Sequence, residues 1–218
     1  MAGHNYDMLV IGSGPAGQRA AIQSAKLGKR VALVERRTVV GGVCINTGTI
    51  PSKTLREAVL YLSGYYLKSI YGESYTLKPD ITMEDLLFRT NYVIRHEIDV
   101  IRHQLQRNGV EVINAEAAFA DPHAVRLTMA DQSAERTITA ANILIGAGTE
   151  ATRDPKIPFD GQNIFVSDDI LGMKKLPRTL AVIGAGVVGC EYASIFAALG
   201  VRVTLVDRSR RLLPFVDA

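Results

Sequence analysis

Only two cysteines, Cys44 and Cys190, occur in the 218 residues. Two thiols make no disulfide framework, so a reducing cytoplasm is the expected compartment. No apolar run approaches the ~18 residues that span a bilayer, and no membrane role is expected. The opening MAGHNYD lacks the basic-then-apolar plan of a secretory leader and enters a strand at once. Neither sign of charge dominates: 25 Lys plus Arg stand against 22 Asp plus Glu, a net charge of +3. That excess is too small and too scattered to suggest nucleic acid. His96 and His103 fall on a charged helical face, and no group of side chains has metal-site spacing. What remains is ordinary globular material, 47% hydrophobic and 22% charged. The length suits one α/β domain plus part of another.

The most informative stretch is Val10 to Arg36, VIGSGPAGQRAAIQSAKLGKRVALVER. A short apolar run, Met8 to Ile11, predicts a buried parallel strand. Gly12, Gly14 and Gly17 follow at GxGxxG spacing, then a helix from Pro15 to Leu27 and a second strand, Val31 to Val34. This is the arrangement that binds a dinucleotide. Gly12 permits the tight turn, Gly14 lets a pyrophosphate approach the backbone, and Gly17 lets helix and sheet pack closely. The helix N-terminus offers free N–H groups and a positive dipole end. Glu35 stands where a carboxylate accepts hydrogen bonds from ribose hydroxyls.

A single such pattern is weak, because glycines also mark ordinary turns. Here it occurs twice. Val182 to Arg208, VIGAGVVGCEYASIFAALGVRVTLVDR, aligns with Val10 to Arg36 without a gap at an offset of 172. Gly184, Gly186 and Gly189 match the three glycines, and Asp207 matches Glu35. Two fingerprints predict two dinucleotides, and the chemistry expected of such a pair is transfer between them. Asp207 favours an unmodified ribose, hence NAD, while Arg208 and Arg210 are placed to hold a 2′-phosphate.

Between the fingerprints lies Gly41 to Val59, GGVCINTGTIPSKTLREAV, in which Pro51 and Ser52 predict the start of a helix running through Leu62. With the two fingerprints, this run resembles the pyridine nucleotide–disulfide oxidoreductase family, flavoproteins with two dinucleotide domains. Members carry Gly-Gly-x-Cys-x4-Cys before Ile-Pro-Ser-Lys, and their two cysteines form a redox disulfide beside the flavin. This chain keeps Cys44 but has Thr49 at the second position, and a hydroxyl forms no disulfide. Cys-x4-Thr followed by Ile-Pro-Ser-Lys is similar to the soluble, Si-specific NAD(P) transhydrogenase branch.

The resemblance implies FAD at the first fingerprint and NAD or NADP at the second. For FAD it implicates Gly12, Ser13, Gly14, Pro15, Ala16, Gly17, Glu35, Arg36, Gly42, Val43, Cys44 and Lys53. Glu116 and Ala117 would meet the adenine, and Gly148 would follow the last flavin-domain strand. Gly146-Ala147-Gly148 departs there from the family's Ala-Thr-Gly type of motif. For the nicotinamide nucleotide it implicates Gly184, Gly186, Val187, Val188, Gly189, Glu191, Asp207 and Arg208. Cys44 and Thr49 mark the redox position, and Lys53 with Glu191 is expected to form an ion pair beside the flavin where hydride arrives.

The rest of the chain reads as scaffold. Thr82 and Asp85 have the pattern of a helix start, and Ile94, Ile98, Ile101 and Leu105 stripe the following helix to about Arg107. Asn108-Gly109 ends it. Val110 to Ile113 reads as a strand, Ala124 to Met129 and Arg136 to Thr139 as a small meander, and Asn142 to Ile145 as a further buried strand. Glu150 to Gly161 reads as an inter-domain connection.

The expected fold is therefore α/β: a Rossmann-like FAD-binding domain over 1–150, then the start of a Rossmann-like NAD(P)-binding domain over 151–218. The family implies a longer parent, a homodimer or higher homo-oligomer, of which this chain would be an N-terminal fragment inactive alone. The expected function of the parent is FAD-dependent transhydrogenation, NADPH to FAD to NAD+. Two alternatives stay open: a dihydrolipoamide dehydrogenase-like or NAD(P)H:acceptor oxidoreductase lacking the redox disulfide, and a non-catalytic FAD-binding module.

Overall fold

In the computed structural model, which describes residues 3–72, 74–129 and 134–213, the first apolar run forms strand β1 (Tyr6–Ile11) and the second forms β2 (Val31–Glu35). They pair in parallel, Met8 opposite Val31 and Ile11 opposite Val34. All five residues of β2 are buried, as expected of a strand covered on both faces. Between them runs helix α1 (Pro15–Lys26), with Gly17, Ala21 and Ile22 turned inward. Pro15 opens it at no hydrogen-bond cost, since the first-turn N–H groups have no helical acceptor.

The described residues group into two compact units, Met1–Gly48 with Ile94–Glu150 and Thr49–Val93 with Ala151–Ala218. In the first, β1 also pairs in parallel with β5 (Glu135–Ile145), and β2 with β3 (Glu111–Asp121). β3 and β5 outrun that parallel sheet and pair antiparallel with β4 (Ala124–Met129), so β1-β2-β3-β4-β5 closes into a barrel. Leu9, Val34, Ala115, Leu127 and Ile138 meet in one buried cluster inside the unit.

This corrects the strand pattern. The meander is not separate from the sheet, and Arg136–Thr139 and Asn142–Ile145 are one strand. β5 changes partner between Thr139, opposite β4, and Ala140, opposite β1, and the exposed Asn142 side chain donates to Asp7 O at 3.1 Å.

The second unit holds helix α3 (Thr49–Leu62), the short helix α4 (Lys68–Tyr71), strands β6 (Thr179–Ile183) and β7 (Arg202–Val206), and helix α6 (Val187–Ala198). Helix α2 (Gly42–Asn46) belongs to the first unit, and helix α5 (Met83–Arg107) contributes to both. β6 and β7 pair in parallel, Leu180 opposite Val203, repeating the β1–β2 register 172 positions on. Residues 49–93 thus pack with the second unit rather than with residues 1–48. The reason is visible in the core, where Leu55 and Val59 of α3 and Met83 and Leu86 of α5 cluster with Tyr192 and Phe196 of α6. Helix α3 starts two residues before Pro51, which a first helical turn tolerates. Helix α5 starts as expected: Asp85 N–H donates to Thr82 Oγ1 at 3.2 Å, and Thr82 N–H donates to Asp85 Oδ2 at 2.9 Å.

Candidate functional site

The turn after β1 is built by close backbone approach. Gly12 has φ +99°, and a Cβ there would lie 2.2 Å from Gly146 O. A Cβ on Gly17 would lie 1.9 Å from Gly12 O, so only glycine lets α1 meet the turn. Gly14, the N-cap of α1, has nothing within 4 Å of its Cβ position. The open face of the turn is where an incoming phosphate would meet free N–H groups.

That face lines a cavity of about 470 Å³. Gly12, Ser13 and Gly14 of the turn line it together with Glu35, Arg36, Gly42 and Val43, and with Glu116, Ala117 and Gly148. Its size is that of a ligand site. Pro15 and Ala16 are exposed in the first turn of α1, and Gly17 is buried behind it. Gly146 and Ala147, of the motif that departs from Ala-Thr-Gly, line the same cavity, as do Arg37, Ala115, Thr149 and Glu150, which no sequence pattern singled out as ligand contacts. Arg36 and Glu150, the latter in the segment after β5, form an ion pair at 2.8 Å. Cys44 lies half-buried in α2, outside the lining of this cavity.

Glu35 is buried and already engaged. Its Oε2 accepts Ser13 N–H at 3.0 Å and Ser13 Oγ–H at 2.5 Å, and its Oε1 accepts Arg37 N–H at 3.0 Å. A carboxylate has about four acceptor positions, so roughly one is left to meet a ribose hydroxyl.

The second fingerprint repeats this geometry. Gly184 has φ +102°, and a Cβ on Gly189 would lie 1.9 Å from Gly184 O. Gly186 caps α6, its Cβ position is open, and Val187 and Val188 are exposed in the first turn. Asp207 accepts Ala185 N–H and Ser209 N–H, each at 2.6 Å. Those two amides, with a smaller contribution from Arg208, hold its carboxyl below the usual carboxylate range.

In the second unit the structure also brings Lys53 and Glu191 together, Nζ to Oε1 at 2.5 Å. Ser52 Oγ donates to the same oxygen at 3.3 Å, a contact that no sequence signal separated from ordinary helix-start chemistry. Thr49 is the first residue of α3, and its carbonyl oxygen, also 3.3 Å from Ser52 Oγ, is the competing acceptor for that one hydroxyl hydrogen. Cys44 and Thr49 fall in different units. Among the described residues no helix is long and apolar enough to cross a membrane.

The architecture and motifs match known proteins. The family profile of pyridine nucleotide-disulphide oxidoreductases covers residues 6–218. A soluble pyridine nucleotide transhydrogenase from Mycobacterium tuberculosis is 52% identical over 212 residues, covering 97% of this chain and 45% of that protein. One from Colwellia psychrerythraea is 40% identical over 213 residues, 98% of this chain and 45% of its own. Among solved structures, the HOCl-induced flavoprotein disulfide reductase RclA from Escherichia coli aligns with a TM-score of 0.81 at 29% identity, over 98% of this chain and 44% of that one. The chain spans a little under half the length of the relatives it matches.

Proposed function

The chain belongs to the pyridine nucleotide-disulphide oxidoreductase family, and we propose that the whole protein is an FAD-dependent NAD(P) transhydrogenase carrying hydride from NADPH to NAD+. The observation that carries this reading is the doubled fingerprint, two dinucleotide cradles with the same turn, the same helix cap and the same acid-to-amide bonds. The identity to proteins named soluble pyridine nucleotide transhydrogenase supports it.

FAD fits the first cavity. Gly14 leaves room at the N-terminus of α1 for a pyrophosphate, Glu35 keeps an acceptor for the ribose, and Glu116 and Ala117 line the wall assigned to the adenine. When bound, the flavin supplies the two-electron relay between two nicotinamides. The residues of the chain bind, orient and stabilise charge. The N-terminus of α6, with Gly186, Val187 and Val188, takes the second pyrophosphate, and Asp207 reads its ribose. Arg208 and Arg210 beside it are suited to a 2′-phosphate, as a protein accepting both nucleotides requires. Lys53, held by Glu191, supplies the cation that stabilises negative charge gained on reduction. Thr49 removes the second thiol, so electrons have no dithiol to pass through.

Full-length protein should reduce thio-NAD with NADPH, and anaerobic titration should consume two electrons per FAD with no thiolate charge-transfer band. Four electrons per flavin would point to a dithiol reductase. Turnover with NADPH and an artificial acceptor, but none with thio-NAD, would point to an acceptor reductase on the same two domains. Bound flavin without turnover on any acceptor would leave a non-catalytic FAD module.

A further inference from the structure

Ser13 is wholly buried, and its hydroxyl makes two bonds at once. It donates to Glu35 Oε2 at 2.5 Å and accepts the N–H of Gly41 at 3.0 Å. The Ser13 carbonyl also receives Gly41 N–H at 3.2 Å and the Gln18 side-chain amide at 2.9 Å. One residue therefore ties the turn after β1 to the end of β2 and to the loop that opens α2. That loop sits close against the turn: a Cβ on Gly42 would lie 2.8 Å from Gly14 Cα.

The second fingerprint serves as an internal control. Asp207 accepts two backbone amides, from Ala185 and Ser209, at the positions matching Ser13 and Arg37. Cys190 Sγ donates to Ala185 O at 3.3 Å, in the place where Gln18 donates to Ser13 O. The acid-to-amide bonds are kept although Glu35 is matched by Asp207 and Gln18 by Cys190; the side-chain hydroxyl bonded to the acid is present in the first cradle alone. Ala185 stands where Ser13 stands, and it ties Asp207 to nothing beyond its own backbone.

We propose that the Ser13 hydroxyl is a retention device, a positioning residue that fixes Glu35 and the Gly41–Gly42 loop so that the first site keeps its dinucleotide while the second exchanges it. This rests on the reading of the first cavity as the flavin site. Order present before binding is not lost at binding, and gains of this kind fall mainly in the dissociation rate. A carboxylate pinned by charge-assisted hydrogen bonds presents its remaining lone pair in one direction. Without the hydroxyl, Glu35 keeps the backbone amides of Ser13 and Arg37 but loses its link to the Gly41–Gly42 loop, and the ribose must then supply that remaining order.

The test uses full-length protein purified with FAD, as wild type and as Ser13→Ala. Release of FAD, and of analogues lacking the adenosine 2′- or 3′-hydroxyl, is followed by flavin fluorescence in the presence of an apoflavoprotein trap. Wild type should release an analogue about tenfold faster than FAD, the worth of one such hydrogen bond. Ser13→Ala should release FAD about tenfold faster than wild type and bring the analogue-to-FAD ratio near one, with NAD affinity at the second site unchanged. A general loss of packing would speed both ligands and leave the ratio alone, and that result overturns the inference. So does a release rate that ignores Ser13→Ala, or a wild-type ratio near one. A wild-type protein that holds no flavin overturns the flavin reading itself, a distinct outcome.

Discussion

Lys53 Nζ lies 2.5 Å from Glu191 Oε1, an ion pair closed across 138 residues of sequence. The two ends differ: the Glu191 side chain is 16% accessible and the Lys53 side chain 59%. Glu191 also receives the Ser52 hydroxyl, so the acid is the anchored partner and the ammonium keeps donors free for something else. Lys53→Met in the full-length protein should slow flavin reduction by NADPH on the order of tenfold to a hundredfold, a value lowered from the usual effect of a buried donor because this lysine is half in solvent. Glu191→Gln, which keeps an acceptor but loses the charge, should fall between Lys53→Met and wild type. Stopped-flow absorbance of the flavin reads both, and an unchanged rate for Lys53→Met would remove the pair from the redox chemistry.

Asp207→Ala should weaken NAD more than NADP. The carboxylate suits a ribose bearing free hydroxyls, whereas a 2′-phosphate would bring a second negative charge beside it. The expected loss for NAD is about tenfold, one charge-assisted hydrogen bond. Because the Ala185 and Ser209 amides hold this carboxyl below its ordinary value of 3.8, wild-type NAD affinity should stay flat through neutral pH and fall only below that value. Equal losses for both nucleotides would show that Asp207 does not read the ribose.

The two cradles were legible because glycine spacing and terminal acids are backbone requirements, and these the chain states twice. The partnership of Lys53 with Glu191 was legible only through the family motif, since nothing local links positions so far apart. Other features depend on distant pairing. Thr139 and Asn142 read as the end of one strand and the start of another until β4 is seen to pair with Glu135 to Thr139 and β1 with Ala140 to Ile145, two partners along one strand. Leu55 and Met83 share one buried cluster with Phe196, more than a hundred residues on, a packing that no local pattern signals. Ser13 against Ala185 looks like a neutral exchange within a turn until Gly41, 28 residues on, proves to be the hydroxyl's second partner.

Helix α5 should depend on pH through its cap. Asp85 receives Lys78 Nζ at 2.6 Å and both the N–H and the hydroxyl of Thr82. The lysine bond first, then the threonine bonds, lower its carboxyl from 3.8 to about 2. A depressed carboxylate contributes stability that is complete above the unfolded value and lost as pH falls through the folded one. Asp85→Asn should therefore lower the thermal midpoint at neutral pH, with the gap from wild type closing between pH 3.8 and about 2. A gap that persists at pH 2 would mean the carboxylate charge is not what caps the helix.

Tyr192 follows Glu191 in α6 and is 4% exposed, packed among Leu55, Ile195 and Phe196. Its hydroxyl has no hydrogen-bond partner among the described residues. Burial, with smaller contributions from the Glu191 and Asp168 charges, pushes the phenol up to about 12, so it stays neutral at any physiological pH. A buried hydroxyl that has left water without finding a partner costs about 1–3 kcal/mol. Tyr192→Phe removes that group and keeps the ring, so it should raise the thermal midpoint, by about 1 kcal/mol of stability, and leave flavin reduction unchanged. Calorimetry of the two full-length proteins decides the matter. A lowered midpoint would show that the hydroxyl is bonded in solution through an ordered water, and the packing around α6 would then include that water.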